Sequence, residues 1–189
     1  MILADHEIER LAVKFGMISP FNPEMTKIVD GRSCLGFGLD SAGYDLRLAK
    51  EVKAFSYGGC AGSNIIDPKN FDEKLLVNLT PDDEGRIILP PMTTALGKAV
   101  EHMKMPDNVV AVAFAKSTYA RCGISLNTTK FVPGWEGDLV LEISNNTPFP
   151  AALYPNEGIM SVIFFWVNPP DRLYVGKYQG QQGITLPKA

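Results

Sequence analysis

The side chains best suited to chemistry fall in one stretch, Lys116 to Asn145, which reads KSTYARCGISLNTTKFVPGWEGDLVLEISN. Glu142 sits inside an apolar run, DLVLEI. A carboxylate there is costly unless it is paired or used. If burial raises its pKa towards neutrality, it can take a proton from water and return it to a leaving group. The plainer alternative is a glutamate on the solvent face of a strand, because alternation puts Leu139, Leu141 and Ile143 on one face and Asp138, Val140 and Glu142 on the other. Ser117 and Arg121 lie one helical turn apart. A hydroxyl beside free amides at a helix start suits phosphate oxygens, and a guanidinium meets phosphate or carboxylate bidentately. Ser117 could equally cap the helix, and Arg121 could form a surface ion pair. Lys116 adjoins them. Asn127, Thr128 and Thr129 have the donors and acceptors to read a base edge and a sugar, although two threonines also suit a plain strand. Trp135 packs the following turn.

These residues need elements to hold them. Asp5–Phe15 reads as a helix, with Ile8, Leu11, Ala12 and Phe15 on one face, Asp5 as cap and Gly16 as stop. Asp5, Glu7 and Glu9 form its solvated side, and ISPFNP ends regular structure. From Ser41 onward, short apolar runs alternate with Pro, Gly, Asn and Asp. Strands are expected at Tyr44–Leu48, Glu51–Phe55, Leu75–Asn78, Arg86–Leu89, Thr93–Val100, Val109–Phe114, Asp138–Ile143, Ala151–Tyr154 and Ile159–Val167. Lys116–Cys122 makes a short helix before Gly123. The pattern is that of a mainly-β barrel or sandwich. The Gly/Gln-rich tail from Gly176 reads as mobile, with Tyr178 and Ile184 available to dock it.

Composition narrows the function. The 189 residues are 46% hydrophobic and 21% charged, values of an ordinary globular domain. A net charge of −3 gives no basic excess, which argues against a nucleic-acid polymer as partner but leaves room for a mononucleotide. No apolar run approaches the roughly 20 residues of a membrane span, and MILADHEIER has no signal-peptide core, so a cytoplasmic protein is expected. Cys34, Cys60 and Cys122 read as reduced thiols. Without a CxxC, and with His6 and His102 far apart, zinc is not expected.

The words KSTYARCG, WEG, LEISNNTP, YPNEG and GKYQGQQGITLP, preceded by SAGYDLR, DPKNF and LPP, closely resemble dCTP deaminase, of the superfamily that also contains the trimeric dUTPases. The resemblance spans nearly the whole chain in the family's order. It implies a distorted β-barrel of dUTPase-like (β-clip) type over residues 1–189, with an N-terminal helix, a short helix before the active-site strand, and segment 176–189 closing over nucleotide. It implies hydrolysis of dCTP to dUTP and ammonia without zinc, in pyrimidine deoxynucleotide supply. Glu142 would be the proton shuttle, with Ser117 and Arg121 in the nucleotide site and Lys116, Asn127, Thr128, Thr129 and Trp135 contacting substrate. Lys177 would meet phosphates, Gln181 phosphate or sugar, and Tyr178 would close with them. Mg²⁺ would arrive on the triphosphate, not on a protein cage, dTTP would be a candidate inhibitor, and the assembly would be a homotrimer with sites between subunits.

Three departures matter. The dUTPases and the bifunctional deaminases carry an aspartate three residues before the aromatic of this turn, where this chain has Val132. Valine cannot orient a water, so the pyrophosphatase reaction is not expected. SAGYD is more like the dUTPases than the tyrosine-rich version of close deaminase relatives, and Lys130 stands where those often have proline. Asp45 is read as a turn or interface residue, not a metal ligand. Two rivals follow: a dUTP pyrophosphatase or bifunctional enzyme, which needs the missing acid, and a non-catalytic nucleotide sensor, which has no need of Glu142.

Overall fold

The computed structural model describes residues 1–56, 65–127 and 130–188. Helix α1 spans Asp5–Phe15, as expected, and buries Ile8, Leu11 and Ala12. Its start differs from the reading above. Ala4, not Asp5, occupies the cap position, and the Glu7 carboxylate accepts from the Ala4 amide at 3.1 Å. Glu7 also accepts from Trp166 Nε1 at 2.8 Å, so it ties the helix to a strand and does not merely face solvent.

Antiparallel strands make up the rest. β1 (Ile18–Ser19), β2 (Thr26–Val29), β3 (Arg32–Asp40) and β4 (Gly43–Phe55) are followed by a 3₁₀ turn at Glu73–Leu75 and by β5 (Leu76–Leu79), β6 (Ile87–Leu89), β7 (Thr94–Lys104) and β8 (Val109–Ala115). After helix α2 (Ser117–Arg121) come β9 (Ile124–Leu126), β10 (Lys130–Phe131), β11 (Glu136–Asn145), β12 (Ala151–Leu153) and β13 (Gly158–Trp166). One sheet runs β10-β8-β13-β4-β7-β11-β9, with β3 and β5 also on β4, β2 on β3 and β1 on β7; β12 and β6 form a separate pair.

β4 is the spine, and it joins two strands expected separately. Its first half pairs β3 and β13, its second half β5 and β7, with a register shift between Leu48 and Val52. A bulge there lets one strand change neighbours, and this curls the sheet. The mainly-β expectation holds. The β2–β3 hairpin was not anticipated, although its turn carries the Asp30-Gly31 pair. Both residues have positive φ, 49° and 75°, as a tight hairpin turn of this hand requires.

The core lies within the curl, built from inward positions such as Leu46, Leu48, Met103, Leu141, Ile143, Val162 and Phe164. β11 alternates as expected: Leu139, Leu141 and Ile143 are buried, while Asp138, Val140 and Glu142 are half-buried on the other face. Asn145, 1% exposed, ends the strand. Its amide nitrogen donates to the carbonyls of Leu89, Pro90 and Phe149, and its oxygen accepts from the amide and hydroxyl of Thr147. One side chain thus joins the LPP and SNNTP words. Gly158 marks a close approach of backbones, because a Cβ there would stand 1.9 Å from the Gly36 carbonyl oxygen.

Candidate active site

Glu142 faces Leu96 of β7 across the antiparallel pair and opens into a cleft of about 450 Å³. Leu96, Val132, Trp135 and Val140 give the cleft an apolar wall; Lys130, Tyr178 and Gln181 bring polar groups to it. Burial pushes the Glu142 carboxyl above its ordinary range, offset in part by its own amide. No other described side chain forms a hydrogen bond or ion pair with it. This is a carboxylate whose basicity is raised by its surroundings and whose oxygens are open to a ligand, the state required of a proton shuttle near neutral pH.

The raised pKa has a consequence for stability. The fold favours the protonated form, so that contribution is present below the unfolded pKa and is lost as pH rises through the folded one. Glutamine mimics the protonated form at every pH. Glu142→Gln is therefore expected to raise the thermal midpoint near neutral pH, by about 2–4 °C for each kcal/mol of relieved desolvation. The gain should vanish below the usual carboxylate range. Melting curves at several pH values check this, and a variant no more stable at neutral pH than the unmodified chain would contradict the burial of a charge.

The turn before β11 and the C-terminal segment both contribute to the lining of this cleft. The Trp135 amide donates to the Val132 carbonyl at 3.1 Å, the indole packs on Phe131 with ring centres 5.7 Å apart, and its Nε1 donates to the Tyr178 carbonyl at 3.0 Å. Residues 178–183 run beside the start of β11. Gly180 N donates to the Glu136 carbonyl at 2.8 Å, Asp138 N to the Gln181 carbonyl at 2.9 Å, and Gln181 Nε2 to the Asp138 carbonyl at 2.6 Å. Tyr178 and Gln181 thus reach the pocket that holds Glu142. Lys177 does not line it. Its ammonium lies over the Tyr178 ring, 5.4 Å from the centroid, and donates to the Lys188 carbonyl.

The remaining candidates lie elsewhere. In α2, Lys116 occupies the cap position and Ser117 is the first helical residue, so Ser117 does not cap. Ser117 and Arg121 are both exposed, on a turn whose Tyr119 is buried, and neither side chain has a hydrogen-bond or ion-pair partner among the described residues. Neither lines the Glu142 pocket, and nor does Asn127, which is exposed and whose amide donates to the Glu142 carbonyl at 3.1 Å. Lys116 is engaged within the chain: it pairs with the Asp45 carboxylate, which also accepts from the Ser161 hydroxyl, and it donates to the Gly36 carbonyl at 2.8 Å. Asp45 is thus a buried anchor for the start of α2. Thr128, Thr129 and Cys60 lie outside the described residues; Cys34 and Cys122 are free thiols.

The dCTP deaminase-like family model matches residues 2–167. The chain belongs to that family. A dCTP deaminase of Laribacter hongkongensis is 45% identical over 194 residues, covering 100% of this chain and 99% of that one. A dCTP deaminase of Neisseria meningitidis is 46% identical over the same coverage. A crystal structure of 2'-deoxycytidine 5'-triphosphate deaminase from Agrobacterium tumefaciens aligns with a TM-score of 0.57 at 21% identity, over 86% of this chain and 47% of that one. The chain thus spans about half the length of that structure, which shares its fold.

Sequence reasoning did not single out one polar cluster of this dCTP deaminase-like chain. Asp138 lies on the Glu142 face of β11, 3.0 Å from His102 Nδ1 and 3.4 Å from Lys98 Nζ. Burial works against its charge, but His102, the Gly183 amide and Lys98 outweigh it and hold its pKa below the usual range. The available signal was the shared face with Glu142. Among the described residues, no group of three or more His, Cys, Asp and Glu is placed to hold a metal ion, and no helix is long and apolar enough to cross a membrane.

Proposed function

We propose that this chain hydrolyses dCTP to dUTP and ammonia, with Glu142 moving the protons. The observation that carries the reading is a half-buried carboxylate, raised in pKa and open to a ligand, in a cleft walled by Leu96, Val132 and Trp135. Full-length relatives at 45% and 46% identity bear the name of that activity. Glu142 takes a proton from water as the oxygen attacks C4 of the cytosine, and passes it to N3. The resulting intermediate is tetrahedral at C4. Glu142 then carries the second proton of that oxygen to the amino group, ammonia leaves, and the C4 carbonyl of uracil forms. The Arg121 guanidinium donates towards the reacting centre, Ser117 holds phosphate oxygens, and Asn127 with Thr128 and Thr129 reads base and sugar. Lys177, Tyr178 and Gln181 close over the nucleotide as residues 176–189 fold down, excluding water. The nucleotide enters as its magnesium complex. Zinc has no part in this scheme, in keeping with a sequence that lacks CxxC and has histidines only at positions 6 and 102.

The reading includes a homotrimer in which one subunit's Ser117 and Arg121 meet a neighbour's Glu142. What supports it is their division on a single chain: two exposed side chains on α2, without a partner among the described residues, and a pocket that neither of them lines. A cytoplasmic place and inhibition by dTTP belong to the same proposal. Purified protein given dCTP is expected to yield dUTP, and dCTP recovered intact would refute the reaction. Subunit sharing has its own test. Arg121→Ala and Glu142→Gln proteins, each inactive alone, are unfolded, mixed in equal amounts and refolded together. Random trimers would carry both native groups at about a quarter of their sites, so about a quarter of native activity should return. No recovery would place Arg121 and Glu142 of one chain in the same site.

A further inference from the structure

We infer that Asp138 is a positioning residue whose carboxylate clasps the C-terminal segment over the Glu142 cleft. The segment supplies Tyr178 and Gln181 to that cleft, so whatever holds it sets the cleft's outer wall. Most of its attachments are neutral. Besides the backbone bonds beside β11, Gln179 Oε1 accepts from the Glu136 amide at 3.2 Å, and Gln179 Nε2 donates to the Gly134 carbonyl at 2.9 Å. Asp138 differs because its carboxylate oxygen accepts from the Gly183 amide at 2.8 Å, two residues beyond Gln181.

That carboxylate is fixed from the other side by β7. His102 Nδ1 stands 3.0 Å from one oxygen, and Lys98 Nζ 3.4 Å from the oxygen that also takes the Gly183 amide. The other charges on these two strands are Glu136, 3.6 Å from both His102 Nε2 and Lys104 Nζ, Lys104 itself, Glu101, buried and paired with Arg47, and Glu142. Asp138 therefore links three things: a rigid strand pair, the face that bears the proposed proton shuttle, and the segment that covers it. The backbone bonds on either side would form with almost any residue at position 138. The bond to Gly183 requires this acceptor, and a charged acceptor makes it roughly twice as strong as a neutral one.

The inference rests on the proposed function only where turnover is concerned. The test is hydrogen exchange of the full-length protein without nucleotide, on Asp138→Ala and on the isosteric Asp138→Asn. Loss of a charge-assisted bond is expected to speed exchange of the 180–185 amides about tenfold in the alanine variant. Asparagine keeps an acceptor and should fall between it and the unmodified chain. Amides of Leu139–Ile143 should keep their rates. Unchanged exchange at 180–185, or equal acceleration through β7 and β11, would overturn the clasp and leave Asp138 a structural residue. With dCTP, the alanine variant should raise KM about tenfold and leave kcat within about threefold, because the segment holds ground and transition states alike. A fall in kcat at unchanged KM would overturn it. If the unmodified protein turns over no dCTP, the functional reading fails and the exchange rates still decide the clasp. Should the alanine variant not fold, the asparagine variant carries both measurements.

Discussion

Glu142→Gln is expected to lower ammonia release from dCTP by about 10²–10⁴-fold, the usual contribution of a positioned acid–base group. Nucleotide affinity should change far less, since glutamine keeps the volume and a carbonyl acceptor. The variant then behaves as a binder without turnover, and equilibrium binding beside a steady-state assay separates the two effects. The pH profile adds a signature. The attack needs Glu142 ionised, and burial in the cleft holds its carboxyl above the usual range. Activity should therefore fall on the acid side at a pH above that of an ordinary glutamate. A variant that loses affinity and rate in equal measure would mean that the carboxylate binds and does not catalyse.

The largest loss of stability is expected far from the chemistry, at the Arg47–Glu101 pair. Glu101 is fully buried, and it accepts from Arg47 Nε at 2.6 Å and from the Arg47 amide at 2.9 Å. The guanidinium also lies 4.9 Å from the centre of the Phe37 ring. Burial pushes the Glu101 carboxyl up, and Arg47 pulls against that shift. Without the arginine, a buried carboxylate is left unpaired, which typically costs about 3–5 kcal/mol. Arg47→Ala should lose that much in urea unfolding. The folded pKa of Glu101 then rises further above the unfolded value. Stability tied to its protonated form is kept at acid pH and lost as pH climbs through the folded pKa, so the deficit should widen with pH. Adding Glu101→Gln should restore part of the loss. A deficit under about 1 kcal/mol would mean that water reaches this pair, contrary to its burial.

Much of the frame was legible because burial follows alternation. The bounds of helix α1 follow from one apolar face, although Phe15, expected on that face, is exposed and Ala4 takes the cap expected of Asp5; β11, β8 and β13 fall within a residue or two of their expected ends, because their inward side chains alternate cleanly. The β2–β3 hairpin escaped because β2 is almost wholly exposed and has no apolar face, although Asp30-Gly31 was there to be read. The spine β4 was split in two because its inward pattern changes phase where it changes neighbours. At the site, the spacing of Ser117 and Arg121 foretold a shared helical turn, and the alternation in DLVLEI foretold the face of Glu142. Lys116 pairs in this structure with Asp45, 71 residues away, and no local pattern reports such a pairing. Alternation places Asp138 on the Glu142 face but reports nothing of its partner there, because the Gly183 amide arrives from 45 residues downstream.

Ammonia and pyrophosphate measured together, from one incubation of the purified protein with dCTP and Mg²⁺, test the account most directly. Val132 lines the cleft with a side chain that cannot orient a water for phosphate cleavage. The account predicts ammonia equal to the dUTP formed, no pyrophosphate, and loss of the ammonia signal in Glu142→Gln. Pyrophosphate released in step with ammonia, or ammonia that persists without Glu142, would contradict it.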